Sequence, residues 1–198
     1  MIIDEDLLLQ NGAEYQEYEP REVLFRKDDC PRFFFQIVSG TVELNNYHED
    51  GKEFTLNILS DGQSIGESLL FSDNYYPMNA TAKTLCTVLK LAKSNFLDLL
   101  LKDQASTMNL FRCLSDRLYY KYIMLFNNST SEPVTKIRAL LDYFKRFSLE
   151  RQKYGFFVPF TRQQIANLTG LRVETVIRAV KNMEKMDVVQ LSNGKIYY

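Results

Sequence analysis

Apolar and polar positions alternate along the first half of the chain and recur at every third or fourth residue along the second. The alternating part breaks into short runs. Glu22-Val23-Leu24-Phe25-Arg26 is closed by Lys27-Asp28-Asp29, and Phe33-Phe34-Phe35-Gln36-Ile37-Val38 by Ser39-Gly40. Thr41-Val42-Glu43-Leu44-Asn45 leads to a turn at Glu49-Asp50-Gly51-Lys52. Glu53-Phe54-Thr55-Leu56-Asn57-Ile58-Leu59 runs up to Asp61-Gly62, and Cys86-Thr87-Val88-Leu89-Lys90-Leu91 repeats the pattern. A period of two puts alternate side chains on opposite faces of a strand. Several short strands closed by glycine-bearing turns predict an antiparallel barrel or sandwich. Residues 1–18 read as a short helix and a lead-in.

The helical period begins near Lys93-Ser94, with Ser94 as N-cap. From about Asp103 a long helix runs to Asn127-Asn128, with Phe111, Leu114, Leu118, Tyr122 and Leu125 as its apolar stripe. That stripe packs either on the barrel or against its copy in a second subunit. Asn127-Asn128-Ser129-Thr130-Ser131-Glu132-Pro133 ends the helix and marks the best boundary. The expected division is 1–102, 103–128 and 133–198. Residues 134–147 form the next helix, with Ile137, Leu140, Leu141 and Phe144 inward, and Phe156-Phe157-Val158 is a short strand candidate.

Two short helices follow, separated by a glycine. Thr161 and Gln164 have the spacing of a capping box, and Gly170 suits the left-handed residue that ends a helix. The second helix, reaching about Met186, places Val173, Val176, Ile177 and Val180 toward a core and Glu174 and Arg178 four apart on one face. Val188-Val189-Gln190-Leu191, Ser192-Asn193-Gly194-Lys195 and Ile196-Tyr197-Tyr198 form a hairpin around an Asn-Gly pair, the preferred type I′ turn. Three helices and a hairpin are the layout of a winged helix-turn-helix, a reader of the DNA major groove. On spacing alone, an ordinary helical hairpin with an ion pair on its face fits equally.

Charge shifts that balance. The net charge is −1, but residues 133–198 hold 12 Lys and Arg against 5 Asp and Glu, a surplus of seven. The remaining residues hold 12 against 20, a deficit of eight. A basic C-terminal part suits a polyanionic partner. No run of about 18 apolar residues marks a membrane span, and the acidic start Met1-Ile2-Ile3-Asp4-Glu5-Asp6 argues against a signal peptide. The three scattered cysteines, Cys30, Cys86 and Cys113, suit free thiols in a cytoplasmic setting. One histidine, no metal-ligand cluster and no nucleophile or phosphate-loop motif leave little for an enzyme, and no cofactor or metal is expected.

Three stretches carry a resemblance that covers nearly the whole chain: Ile37-Val38-Ser39-Gly40-Thr41-Val42, then Asp61-Gly62-Gln63-Ser64-Ile65-Gly66-Glu67, then the pair Thr161-Arg162-Gln163-Gln164-Ile165-Ala166 and Val173-Glu174-Thr175-Val176-Ile177-Arg178. In that order they resemble the Crp/Fnr-type transcription regulators. The resemblance implies an α+β protein: an N-terminal antiparallel β-roll of the cyclic-nucleotide-binding kind (a double-stranded β-helix, cupin-like), a long dimerisation helix and a C-terminal winged helix-turn-helix. It implies a homodimer on double-stranded DNA, with RNA polymerase as a further partner. Arg178 matches the recognition-helix arginine, able to bond guanine O6 and N7, and Glu174 the glutamate able to accept from cytosine. Ile177 stands where the Fnr branch has serine, and either meets a thymine methyl or faces the core. Thr161, Arg162 and Gln163 match backbone-contacting positions. Arg172 and Lys195 are looser candidates for phosphate contact, with solvated surface charge as the other reading.

The resemblance also exposes a departure. Cyclic-nucleotide binders of the family follow Gly-Glu with an arginine and a serine or threonine for the phosphate. Gly66 and Glu67 are present, but Tyr76-Pro77 falls where the second element belongs, and no Arg or Lys lies between Gly66 and Ala82. A buried phosphate without a cation is costly, so cAMP and cGMP are not expected to bind in the usual way. The three cysteines fall short of the four thiolates an iron–sulfur cluster needs, and His48 sits in an expected hairpin tip. What remains is an unknown small-molecule effector or none. The expected pocket comprises Gly66, Glu67, Leu69, Phe71, Tyr75, Tyr76 and Tyr120, with a filled core as the alternative. A second function class, a ligand-binding signalling module without specific DNA binding, is separated from a regulator by what the Glu174/Arg178 face does.

Overall fold

The alternating runs become two four-stranded sheets in a computed structural model that describes every residue except Lys52 and Arg151. Lys52, the last residue of one expected turn, thus lies outside the described residues. The chain divides into two units, Met1–Asp116 and Arg117–Tyr198.

In the first unit, α1 (Glu5–Gln10) precedes β1 (Glu14–Tyr18), β2 (Val23–Phe25), β3 (Phe33–Ser39), β4 (Val42–Tyr47) and β5 (Glu53–Leu59). Then come β6 (Ser64–Ile65), a 3-10 turn (Glu67–Phe71), β7 (Asn79–Ala82), β8 (Cys86–Ala92) and α2 (Lys93–Lys102). One sheet has the order β1-β8-β3-β6 and the other β2-β7-β4-β5, all pairs antiparallel. Phe35, Ile37 and Val88 of the first sheet meet Phe25, Val42, Leu44 and Leu59 of the second in one buried core. Phe34, Leu89 and Leu91, one residue out of phase, enter a second core on the outer face with Ile3, Leu8, Phe96 and Leu99. This is why β3 reads as a nearly unbroken apolar run: both of its faces are covered. Its one polar member, Gln36, is buried and holds the backbone of Ile3, accepting from its N–H at 3.0 Å and donating to its carbonyl at 2.8 Å.

Gly40 of the first resemblance stretch is a steric necessity. It has φ +104°, and a Cβ there would stand 2.5 Å from the carbonyl oxygen of Leu85. His48 is exposed at the tip of the β4–β5 hairpin, with its ring edge toward Phe54.

Four expectations change. Residues 14–18 are a strand, not a lead-in: β1 pairs with β8 from Glu14↔Lys90 to Tyr18↔Cys86, although only Tyr18 is buried. β6 and β7 went unforeseen, because two residues carry no period and Asn-Ala-Thr-Ala has low strand propensity. Ser94 does not cap α2; the helix starts directly from the strand with Ala92 at the N-cap and no side-chain bond there. Phe156–Val158 is only an isolated bridge, Phe157↔Tyr197.

The helix α3 (Gln104–Asn128) runs through the division between the units. Phe111, Leu118, Tyr122 and Leu125 of its stripe are exposed, Leu125 to 74%. The second unit continues with α4 (Pro133–Lys145), α5 (Arg162–Thr169), α6 (Val173–Lys185), β9 (Gln190–Ser192) and β10 (Lys195–Tyr197). Pro133 at the first turn of α4 supplies its preset φ. Ile137, Leu140, Leu141, Ile165, Leu168, Val176, Val180 and Met183 are buried, along the faces their three-to-four spacing predicts. Tyr120 is also buried, its ring 4.6 Å from that of Tyr143 and 6.3 Å from that of Phe144.

Candidate nucleic-acid interface

α5 starts at a complete capping box. The Thr161 hydroxyl accepts from the Gln164 N–H at 3.1 Å, and the Gln164 side chain accepts from the Thr161 N–H at 2.8 Å. The remaining first-turn N–H groups point out of the helix start, where an anion is favoured. Gly170 ends α5 in the left-handed region at φ 68°, and the Leu171 N–H returns to the Ala166 carbonyl at 3.0 Å. The Thr169 hydroxyl donates to the Ile165 carbonyl at 2.6 Å and closes the last turn. The angle at which α6 leaves is therefore held by local bonds.

α6 buries Val176, Ala179, Val180 and Met183. Glu174, Ile177 and Arg178 are exposed, and Lys181 and Lys185 continue the same solvent face toward the C-terminal end. Ile177 is 41% exposed, which corrects its placement in the core. Its direction lies about 100° from that of Val176, enough to carry it out of the packed stripe. Val173 is only half-buried. Neither Glu174 nor Arg178 makes an ion pair or side-chain hydrogen bond among the described residues, so the i,i+4 pair that would favour a plain hairpin does not form.

The wing is the hairpin β9–β10, with Asn193 at φ 48° and Gly194 at φ 75°, the two positive values a type I′ turn requires. The Arg162 guanidinium donates to the Gly194 carbonyl and fastens the wing tip to the start of α5. One of its N–H groups is thus taken, which the sequence does not reveal. Gln163 is exposed and donates to Asn167 at 2.9 Å. Arg172 is exposed at the N-cap of α6. The Lys195 ammonium stands 5.3 Å from the centroid of Phe157.

Of the seven expected pocket residues, the six in the first unit have different surroundings. Gly66, Glu67 and Tyr76 are buried in the roll, and Leu69 packs against its inter-sheet core. Glu67 accepts from the Ser64 hydroxyl at 2.9 Å. Tyr75 is 63% exposed, its side chain thrown outward where its neighbour Tyr76 turns in. Phe71 is exposed beside Leu97, Leu100 and Leu110, a different groove, and Tyr120 lies in the second unit. Tyr76 stacks on Phe25 with centroids 3.6 Å apart and planes at 9°. It lies so close to Gly66 that a Cβ there would stand 2.8 Å from its ring. Burial first, then the charges of Glu67, Cys30 and Asp29, push the Tyr76 phenol pKa up. Phe25 gave no sign of this role in the sequence, where it reads as one more strand residue.

A two-sheet roll, a long helix and a winged helix-turn-helix with a free polar recognition face define a transcription regulator of the roll-and-wing class. Residues 15–103 match the cyclic nucleotide-binding domain family, and residues 137–197 match the Crp-like helix-turn-helix domain family. The chain belongs to the Crp/Fnr-type DNA-binding transcription regulators. It is 26% identical over 181 residues to the cAMP-activated global transcriptional regulator CRP of Salmonella typhimurium, covering 90% of this chain and 86% of that one. Its fold is shared by CooA from Carboxydothermus hydrogenoformans (TM-score 0.80, 19% identity, 98% of this chain and 86% of that one). It is shared also by the regulator CLP of Xanthomonas campestris, described as c-di-GMP responsive (TM-score 0.76, 18% identity, 98% of each chain). Among the described residues no helix is long and apolar enough to cross a membrane.

Proposed function

We propose that the chain acts as a homodimer on a near-palindromic DNA site, with α6 of each copy in a major groove and the two recognition helices about 34 Å apart. The observation that carries this is the free face of α6, where Arg178 and Glu174 have no partner among the described residues while the opposite face is buried. Arg178 reads guanine, Glu174 cytosine and Ile177 a thymine methyl. Thr161, Arg162, Gln163, Arg172 and Lys195 hold the phosphates, Arg162 with the donors left over from Gly194. Residues 1–102 serve as the effector roll, 103–128 as the dimerisation helix and 133–198 as the DNA-binding domain. The exposed apolar stripe of α3 supports the pairing of two copies. The protein works in the cytoplasm, binds rather than catalyses, and meets RNA polymerase on DNA.

Its control differs from that of the cAMP-activated relatives. Tyr76 takes the place expected for a phosphate-binding cation and fills it with a ring stacked on Phe25 and pressed against Gly66. Glu67 keeps a structural role with Ser64. The roll therefore answers a signal other than cAMP, or holds its output without one. The description of CLP as c-di-GMP responsive supports the view that this fold serves more than one signal. Selection of bound duplexes from a random pool tests the DNA reading; recovery of no shared half-site refutes it. Calorimetric titration tests the control, and micromolar cAMP affinity overturns it.

A further inference from the structure

A cavity of about 340 Å³ is lined by residues of β2, β3 and β8, by the loop that precedes β3, and by Tyr76. Small-molecule sites span roughly 300–1,000 Å³, so this one has room for a compact ligand. Phe25, Phe35 and Tyr76 form its apolar walls, and Arg32 and Lys90 bring two cations to it. Lys90 is opposite Phe35 in the β3–β8 register, so it projects from the face whose other positions, Cys86 and Val88, are buried. A lysine on the inner face of a roll is out of place for packing alone.

Neither cation is matched by an acid among the described residues. Lys90 makes no ion pair among the described residues, even with Glu14, its register partner on β1; its ammonium instead sits 4.2 Å from the centroid of Phe33. Arg32 is exposed and unpaired among the described residues. The acid nearby, Asp29, is turned back on its own loop, accepting from the Arg26 N–H at 2.7 Å. The Tyr76 hydroxyl is buried and finds no hydrogen-bond partner among the described residues. Burial, then the charge of Glu67, then those of Cys30 and Asp29 push its pKa up, and the last two residues stand on the cavity wall.

We propose that this cavity binds a small organic anion with a flat apolar body, an aromatic monocarboxylate in class, its carboxylate between Arg32 and Lys90 and its ring against Phe25 and Phe35. An inorganic anion would use the cations but leave the aromatic walls idle. Neither Gly66 nor Glu67, the residues to which the resemblance assigns a nucleotide's ribose, is among those that line the cavity. The inference deepens the reading of the roll as answering a signal other than cAMP, but it needs no DNA to be tested.

Cys30 provides the test, since it lines the cavity and its thiol is exposed, whereas Cys86 is buried and Cys113 half-buried. Alkylation of Cys30 in the full-length protein is followed by mass spectrometry against benzoate, with phosphate as the comparison anion. Benzoate is expected to slow Cys30 labelling saturably at about millimolar concentration, as befits so small a ligand, and to leave Cys113 unaffected. Phosphate should give no protection. Arg32→Gln and Lys90→Gln, both at accessible positions that leave the fold intact by circular dichroism, should each raise the half-protecting concentration about tenfold, as expected for removing one charge-assisted hydrogen bond. No protection up to about tens of millimolar, equal protection by phosphate, or unchanged protection in both variants overturns the proposal. Such a failure leaves the DNA reading intact, because duplex selection is measured separately.

Discussion

Arg178→Ala removes one side chain and isolates base reading from the rest of DNA binding. Arg178 is exposed, and no hydrogen bond or ion pair ties it to the described residues. Arginine and alanine also have similar preferences for a helix interior. The substitution should therefore change folding stability by no more than about 0.5 kcal/mol. DNA binding should change far more. A bidentate contact to guanine contributes about 1–3 kcal/mol, and a dimer makes it twice, so the expected loss is about 2–6 kcal/mol, or roughly thirty-fold to twenty-thousand-fold in affinity. The loss should fall on the selected duplex and spare a scrambled one. Because Arg178 meets a base, the slope of log affinity against log salt should hardly move; Arg172→Ala, at a proposed phosphate position, should lower it by about one for each phosphate no longer neutralised. Fluorescence anisotropy on both duplexes over a salt series, beside thermal melting, gives all four quantities. Equal weakening on the scrambled duplex would show that Arg178 supplies only charge, and a sharp fall in Tm would show that the residue is structural.

Three stability predictions test the frame that holds the site. Thr161→Ala removes the hydroxyl of the capping box and should cost about 0.5–2 kcal/mol in urea unfolding, with Thr161→Ser restoring most of it. Gly40→Ala sets a Cβ against the Leu85 carbonyl in a backbone conformation unsuited to it, and should cost about 1–3 kcal/mol or more; an unchanged midpoint would mean that the hairpin yields. Tyr76→Phe deletes a buried hydroxyl without a partner among the described residues and should raise stability by about 1–3 kcal/mol, whereas a loss would show that the hydroxyl is bonded in solution.

What was legible in the sequence follows from how local each feature is. The capping box at Thr161 and Gln164, the left-handed Gly170 and the Asn193-Gly194 turn each complete their hydrogen bonding within a few residues, so their residue types announce them. β1 and β7 do not announce themselves, because each exists through the backbone ladder of strands distant in sequence. Ile177 lies between. The helical period bounds the buried stripe of α6 to within about one residue either side, and only packing decided that Val176 and Val180 fall inside it and Ile177 outside.

The roll interior was least legible, and for a physical reason. A fold of this kind is held by its ladders and by apolar positions that alternate, and any bulky apolar side chain of the right period satisfies it. Ligand chemistry is an exception to that pattern, made by residues far apart in the chain. Tyr75 and Tyr76 look alike in sequence, yet one is in solvent and the other closes the roll against Phe25, a residue of β2 far away in the chain. Lys90 occupies a polar position in an alternating strand and Arg32 precedes another, and only the paired β3 and β8 bring both to the same opening. The helix-turn-helix is constrained by the regular geometry of DNA, so its residues keep a recognisable order. No such external template constrains the roll, and its chemistry becomes readable only once the strands are paired.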